Sequence, residues 1–564
     1  MNRRENLCDE QIWKLLEDSD IEEEVDDISD EEFIPPPTDI STNSSDADDD
    51  DNDDDDDDIT SDNSQDVPTR RNEEFIAPSG DKWFSAAPAT QGRMSSVNVL
   101  TMRSGITAYA ASRITQDPSS AFDLIFDNSM LSTILYETNR QGKRMYKDWK
   151  TLVLEELQAY IGLCILRGVY KSKNQAVRQL WNPSFGPPIF SKTMSVNRFE
   201  QIRGALRFDN PTTRKSRQAR DKLAAVRLLL DGFVENSQRC YQHSECVTVD
   251  EQLYPFRGRC SYIQYMPSKP AKYGLKFWIV ADANSYYVSN IEMYTGKDEE
   301  RTRELGMHIV LKLTAHLHGT GRNVTCDNFF TSLNLARELS FKRMSLVGTI
   351  RSNRREVPKE LREIKKRGLY ESVFAYSEEG MQIVSYKAKK NKNVFLLSSQ
   401  HKDEKLSEGK TKKPEVILYY NSTKGGVDCV DERVGTYSVK YTSKRWHVPV
   451  WCNLLDLTCY NAFILYTCVF PNYQNGKSHK RRLFLSELGM ALSQKYRESR
   501  KANTSSSNPE EDRLAPAPSV PSKKRARCKA CPRGRDRKSS TKCNMCGEFV
   551  CPDHYFVMCH SCKE

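Results

Sequence analysis

Cys246-Val247-Thr248-Val249-Asp250-Glu251-Gln252-Leu253-Tyr254-Pro255-Phe256 is the stretch from which the rest of the chain can be read. It is rich in β-branched and aromatic residues and runs into Arg257-Gly258-Arg259, so it predicts a strand over Cys246–Phe256 followed by a positively charged turn. Asp250 ends its first apolar run, Val247-Thr248-Val249. A second β-like run, Asn323–Cys326, ends on Asp327 in Val324-Thr325-Cys326-Asp327-Asn328-Phe329-Phe330. A third carboxylate, Asp428, follows Gly425-Gly426-Val427, where a helix is expected to begin. Carboxylates delivered from two strands and a helix start can converge on a pair of hard divalent cations, Mg²⁺ or Mn²⁺, which take oxygen ligands and serve phosphoryl transfer. Asp431 lies three residues beyond Asp428 and shares its helix face. Singly, each aspartate reads equally as a surface or capping residue, and Asp428 suits an N-cap. Spacing alone leaves the trio suggestive.

Charge points to the partner. Residues 1–70 carry 28 Asp and Glu against 4 Lys and Arg, while the other residues carry 80 Lys and Arg against 49 Asp and Glu. An acidic tail on a strongly basic body indicates a polyanion, with nucleic acid the first candidate. The N-terminus has no apolar core of a signal peptide. The two most apolar helix candidates, Leu157–Tyr170 and Trp451–Phe470, carry Arg167 and Asn453, Asp456 and Asn461 respectively, so they read as buried core helices and no membrane is expected. Nothing in the sequence indicates a small-molecule substrate.

Along the chain, residues 1–84 read as a disordered acidic tail around the block Asp53–Asp58, with too little apolar surface to offset chain entropy. Residues 85–245 are expected to be mainly helical, over Leu152–Tyr170, Met194–Phe208 and Lys222–Phe233, and to carry Arg203, Arg207, Arg214, Lys215, Arg217 and Arg220. From 246 to 356 the texture is strands first, then alternating helix and strand: Ser261–Met266, Gly274–Asp282, Tyr286–Tyr294, a helix over Glu300–His318, Asn323–Cys326, a helix over Leu333–Arg343, and Ser345–Ile350. That order indicates an α/β multidomain protein. Residues 357–414 interrupt it with a hairpin, Met381–Tyr386 and Val394–Ser399. A strand over Val416–Tyr420 is expected in segment 415–435. Helices return over 436–498, and residues 499–527 form a Ser/Pro/Ala-rich linker ending in the basic cluster Lys523-Lys524-Arg525-Ala526-Arg527, which has the form of a nuclear localisation signal.

The chain closes on a cysteine-rich segment, 528–564. Of 17 cysteines, 7 lie between Cys528 and Cys562. They form Cys528-x2-Cys531, Cys543-x2-Cys546, Cys551-x2-His554 and Cys559-x2-Cys562, eight ligands for two structural Zn²⁺ ions. So short a segment cannot build a core alone, and metal must supply its folding energy. Cross-brace pairing puts Cys528, Cys531, Cys551 and His554 on one ion and Cys543, Cys546, Cys559 and Cys562 on the other; a sequential pairing stays open.

Six strings resemble the piggyBac family of DDE/D DNA transposases: Val249–Arg259 (VDEQLYPFRGR), Tyr265–Leu275 (YMPSKPAKYGL), Asn323–Ser332 (NVTCDNFFTS), Val347–Pro358 (VGTIRSNRREVP), Tyr419–Asp431 (YYNSTKGGVDCVD) and Ser443–Trp446 (SKRW). The resemblance implies catalytic, metal-holding roles for Asp250, Asp327 and Asp428, with Asp431 as an accessory. It implies an RNase H-like catalytic core over 246–356 and 415–435 and an inserted β-rich domain at 357–414. It also implies a helical dimerisation and DNA-binding domain from 85–245 and 436–498, hence a homodimer. The implied chemistry is cut-and-paste transposition: two metal ions per site, hairpins on the transposon ends, and joining to TTAA targets in double-stranded DNA in the nucleus. Arg257, Lys424, Lys444 and Arg445 flank the catalytic segments and suit phosphate contacts. Trp446 suits stacking on an unpaired base, or anchoring of the following helix. The resemblance also gives the zinc module to transposon-end DNA, which Arg533, Arg535, Arg537 and Lys538 fit. Two other readings stand beside this one: a domesticated DNA-binding or chromatin protein without mobilising activity, and a ubiquitin ligase built on the zinc module, which leaves the aspartates idle.

Overall fold

The computed structural model describes residues 73–87 and 99–505, apart from 174, 268 and 297–303, together with 526–528, 531, 538–539, 549 and 551. The chain divides into a unit over Met1–Glu498 and a smaller one over Ser499–Glu564. The acidic block and the basic cluster Lys523–Arg525 fall outside the described residues.

The larger unit is organised by one sheet. Its strands are β1 (Glu74–Ile76), β2 (Lys82–Phe84), β3 (Cys246–Pro255), β4 (Ile263–Tyr265), β5 (Tyr273–Asp282), β6 (Val288–Met293), β7 (Asn323–Cys326), β8 (Ser345–Thr349), β9 (Ser372–Ser377), β10 (Gln382–Lys389) and β11 (Lys392–Ser398). The order is β1-β2-β9-β10-β11-β8-β7-β3-β5-β4, with β6 also paired to β5. Strands β3, β7 and β8 run parallel, joined by the pairs Val249–Cys326 and Gly348–Cys326. The other pairings in the sheet are antiparallel. Parallel strands need crossover connections. Between β6 and β7 lies α5 (Leu305–Leu313), and between β7 and β8 lies α6 (Leu333–Phe341); the flanking helices are named below in chain order.

Helices α1 (Asn128–Met145), α2 (Leu154–Val169), α3 (Val196–Ala205) and α4 (Arg227–Cys240) precede the sheet, and α7 (Glu415–Thr423), α8 (Gly426–Thr436), α9 (His447–Val469) and α10 (Lys480–Ser505) follow it. Successive side chains of a strand point to opposite faces, and the sheet therefore separates two cores. Val247 and Val249 of β3 with Trp278 and Val280 of β5 pack under α5 and α6, against Ile309, Val310, Leu335 and Leu339. Tyr254 of β3 with Phe277 and Ile279 of β5 join the larger core of the helical frame, which includes Leu163 of α2 and Trp451 and Leu455 of α9. Helix α9 is long and apolar enough to cross a membrane by composition, but 94% of its apolar window is buried in protein, as in a central core helix. In the frame, Arg198 of α3 and Glu156 of α2 form a buried two-pronged ion pair (2.9 and 2.7 Å), and the Tyr496 hydroxyl donates to Glu156 at 2.8 Å.

Several expectations are corrected. Residues 73–84, assigned to the disordered tail, form β1 and β2; Trp83 is wholly buried and β2 pairs with β9. Segment 357–414 holds strands β9–β11, which continue the main sheet through β11 and β8. Val416–Tyr420 is helical. Val416, Ile417 and Thr423 are buried while Leu418 is exposed, and five apolar residues fit the helical as well as the strand period. The helix expected over Glu300–His318 is described from Leu305 to Leu313. Residues 499–505, given to the linker, extend α10.

Candidate active site

The site lies where β3 and β7 run side by side. Because Val249 pairs with Cys326, the next residues, Asp250 and Asp327, stand at the same level. Asp327 lies just past the end of β7. Its Oδ1 accepts the Phe329 backbone N–H at 2.9 Å, and the Thr331 hydroxyl donates to its carbonyl at 2.8 Å. The turn is thereby fixed before α6 starts at the Ser332 cap.

Helix α8 is seated directly on β3. A Cβ on Gly426 would lie 2.3 Å from Thr248 Oγ1, so only glycine allows the approach. Just before it, the Thr248 hydroxyl donates to the Thr423 carbonyl at 2.6 Å and the Thr325 and Thr423 hydroxyls meet at 2.8 Å. These buried hydroxyls tie α7 to both parallel strands and aim the start of α8 at Asp250. Asp428 stands in the first turn of α8, and its side chain is 67% exposed. Asp431 is fixed on the same helix, because Gln252 Nε2 donates to it at 2.5 Å and Gln252 Oε1 accepts from Asn453 of α9 at 2.6 Å.

The carboxylate oxygens of Asp250, Glu251 and Asp327 lie within 4.8 Å of one another, the one acidic group of this kind among the described residues. This is not the expected trio. Glu251 joins the group, while Asp428 stands outside it and pairs with Lys269 at 3.4 Å. Glu251 also approaches Lys276 at 3.6 Å. Burial, then the Glu251 and Asp327 charges, push Asp250 well above the usual carboxylate range. Burial, then Glu251, raise Asp327 to about 6. Burial raises Asp431 to about 6 against the Gln252 hydrogen bond. Burial would lower Lys269, but Asp250, Asp428, Glu251 and Asp431 together raise it. Crowded acidic oxygens whose charge is penalised by burial fit a hard divalent cation, which would neutralise them.

The cations fall into two groups. Arg257 is exposed, 5.9 Å above the Tyr273 ring, and its turn packs on the Lys444 segment, since a Cβ on Gly258 would lie 2.5 Å from the Lys444 carbonyl. Lys444 is exposed and Lys424 half-buried. Arg445 is corrected: it is 7% exposed, and its guanidinium donates to the Leu206 and Arg203 carbonyls at 3.1 and 3.0 Å, bracing the frame. In the helical part, Arg207 is likewise buried, donating to the Leu206 carbonyl, and Arg214 and Arg217 pair with Asp209. Trp446, half-buried just before α9, meets Tyr262 edge-on at 5.6 Å and packs against the main core, as an anchor of that helix would.

In the smaller unit, the thiols of Cys528, Cys531 and Cys551 lie within 4.8 Å of one another, with Cys531 and Cys551 sulfurs 3.7 Å apart. The first pair thus meets the third. Ala526–Arg527 pairs antiparallel with Lys538–Ser539, where Lys538 is exposed. Cys543, Cys546, His554, Cys559, Cys562, Arg533, Arg535 and Arg537 lie outside the described residues.

A crowded acidic group on adjacent parallel strands, with further carboxylates on a following helix, fits a divalent-cation site, and the comparisons place the chain in the transposase class. The family model described as Transposase IS4 matches residues 117–463, more than half of the chain. The chain is similar to the human PiggyBac transposable element-derived proteins 2 and 3, at 26% identity over 373 residues and 24% over 378. These matches cover 62% and 63% of this chain and 61% and 62% of the relatives, so it spans about three fifths of their length. It is also similar to a solved piggyBac transposase, in a synaptic complex with hairpin DNA, at 30% identity and a TM-score of 0.68, covering 82% of this chain and 100% of that one. The chain belongs to the piggyBac-type transposase family.

Proposed function

We propose that this chain is a cut-and-paste transposase that frees transposon ends through hairpin intermediates and joins them to TTAA sites. The carrying observation is that Asp250 and Asp327 stand level on paired strands with α8 seated against them by Gly426. The strand order β6-β5-β3-β7-β8, with only β5 antiparallel to β3 and the next two parallel, supports an RNase H-like core. Asp250, Asp327 and Asp428 are the groups that would hold Mg²⁺ or Mn²⁺, with Asp431 held ready on α8 by Gln252. When bound, such ions supply activation of the attacking oxygen and stabilisation of the leaving oxygen in in-line phosphoryl transfer. The protein's own work is to fix these carboxylates on rigid elements and to present Arg257, Lys424 and Lys444 to phosphates beside them. The structural relative in complex with hairpin DNA supports double-stranded DNA ends as the substrate and hairpins as the intermediate.

The cysteine unit is read as a zinc module. With Zn–S bonds of about 2.3 Å, tetrahedral ligand sulfurs stand about 3.8 Å apart, close to the 3.7 Å between Cys531 and Cys551. The grouping of Cys528, Cys531 and Cys551 favours the cross-brace, with His554 as fourth ligand and Cys543, Cys546, Cys559 and Cys562 on the second ion. Binding of the transposon end by this module, a homodimer, and nuclear residence through Lys523–Arg527 complete the reading. The carboxylate cluster favours it over a DNA-binding protein without strand chemistry.

The test is plasmid excision in cells, with Asp250→Asn, Asp327→Asn and Asp428→Asn as controls. Donor sites resealed at an intact TTAA with wild type and with none of the three variants are the expected result. Excision that survives one substitution removes that residue from the reacting set, and no excision by wild type favours the non-mobilising alternative.

A further inference from the structure

We propose that Lys269 is the resident counter-ion of the carboxylate site. It competes with the divalent cation for Asp428 and, once displaced, remains at the site as a positioning cation for the DNA phosphate. This deepens the reading of the site as a metal centre and rests on it. Lys269 lies between β4 and β5, in a turn closed by its backbone N–H donating to the Met266 carbonyl at 3.2 Å and stiffened by Pro270. Its ammonium donates to Asp428 at 3.4 Å and to the Glu251 carbonyl at 3.3 Å. The side chain is only 22% exposed, whereas a lysine ordinarily carries its ammonium out to water. The surplus negative charge of Asp250, Glu251, Asp428 and Asp431 accounts for that inward position.

Asp428 is the carboxylate left outside the close group of Asp250, Glu251 and Asp327. The ammonium is what its Oδ1 pairs with, so a cation that takes Asp428 meets a like charge already beside that oxygen. Two like charges at one carboxylate repel, and occupancy by one disfavours the other. The second contact explains where the lysine goes. Its hold on the Glu251 carbonyl does not depend on Asp428, so a displaced ammonium stays at the mouth of the site, where a phosphodiester brought to the carboxylates would meet it. Lys276, the neighbouring lysine, is committed to Glu251 at 3.6 Å on the other face of β3.

The experiment uses the full-length chain with Lys269→Met, Lys269→Gln and Lys269→Arg. Mn²⁺ uptake is followed by the electron paramagnetic resonance of the free ion, with Asp250→Asn as control. A partly exposed ion pair is worth up to about 1 kcal/mol, so Met and Gln are expected to bind Mn²⁺ about fivefold tighter. In single-turnover cleavage of a transposon-end duplex at saturating Mn²⁺, both should be slower by about tenfold, an expectation scaled from one lost charge-assisted phosphate contact, and Arg should restore most of the rate. Equal or weaker Mn²⁺ binding in both neutral variants overturns the competition, and an unchanged saturated rate overturns the positioning role. If the wild type shows no Asp250-dependent Mn²⁺ uptake, the metal-centre reading falls as well; if it does, failure of the Lys269 variants sinks this inference alone.

Discussion

Replacing Asp327 by Asn is expected to stabilise the metal-free protein, and the sign follows from the site. Asp327 is raised from 3.8 to about 6, by burial first and by Glu251 next. Its native carboxyl binds a proton more tightly than the unfolded one, so protonation favours the fold. Below about pH 4 the group is neutral in both states and costs nothing. Between about pH 4 and 6 the unfolded chain ionises freely while the native site resists, and stability falls as pH rises; above about pH 6 the cost is constant. A displacement of that size corresponds to about 3 kcal/mol. Asp327 retains some solvent, so the realised cost is nearer about 2 kcal/mol. Asn removes the charge but keeps an Oδ1 to accept the Phe329 N–H, which Asp327 accepts at 2.9 Å. Urea unfolding in EDTA at pH 7.5 should therefore show the variant more stable by about 2 kcal/mol, with the difference vanishing near pH 4. Mg²⁺ should stabilise the wild type more than the variant, because the ion neutralises the charge that Asn has already removed. A variant less stable than wild type in EDTA, or a difference that does not change with pH, would refute the reasoning.

Gly426→Ala forces a Cβ to within 2.3 Å of Thr248 Oγ1. It should cost about 1–3 kcal/mol in urea unfolding and, by shifting Asp428 and Asp431, slow strand cleavage by about a hundredfold. Gln252→Leu removes the donor to Asp431 and leaves the buried Asn453 amide without its acceptor; a loss of about 1–3 kcal/mol is expected, with weaker Mn²⁺ binding by calorimetry. Cys551→Ser should reduce zinc by atomic absorption from about two ions per chain to about one and weaken transposon-end binding in a mobility-shift assay, whereas zinc content equal to wild type would remove Cys551 from the ligand set.

What was legible in the sequence was legible for local reasons. Strands β3, β5, β7 and β8 could be read because β-branched residues fill them and Gly, Pro or charge bounds them; helix α2 could be read because its apolar residues recur at helical spacing. The errors fall where a short segment takes its structure from distant partners. Trp83 is buried because β2 adds to β9, nearly 300 residues away in sequence, and nothing next to the acidic tail announces that pairing. Val416-Ile417-Leu418-Tyr419-Tyr420 has no local feature that rejects a strand; it is a helix because it lies across β8–β11, where Val416 and Ile417 pack against Val347, Val384 and Leu396. Arg445 read as a DNA contact from its neighbours in sequence, but the Leu206 and Arg203 carbonyls that bind it come from the other half of the helical frame.

Glu251 stands next to Asp250 in the sequence and was not singled out with it. Alternation along β3 puts the two on opposite faces: Asp250 with Gln252 toward α8, and Glu251 with Val249 toward α5. In mid-strand that would keep their carboxylates apart. Asp327 changes the geometry because it comes one residue after β7 ends. Past the end of β7 its carboxylate is not held to one face of the sheet, and the oxygens of Asp250, Glu251 and Asp327 come within 4.8 Å of one another. Face alternation identifies what packs within a sheet but loses its force at the edge where a strand's neighbour ends. Asp250 and Asp327 keep some access to water there, whereas charged carboxylates would be too costly to bury in the interior of the sheet. On the reading proposed above, the charge that gathers there would weaken the cation-free fold at neutral pH and draw Lys269 inward, so the stability of the site and its affinity for a cation would have one cause.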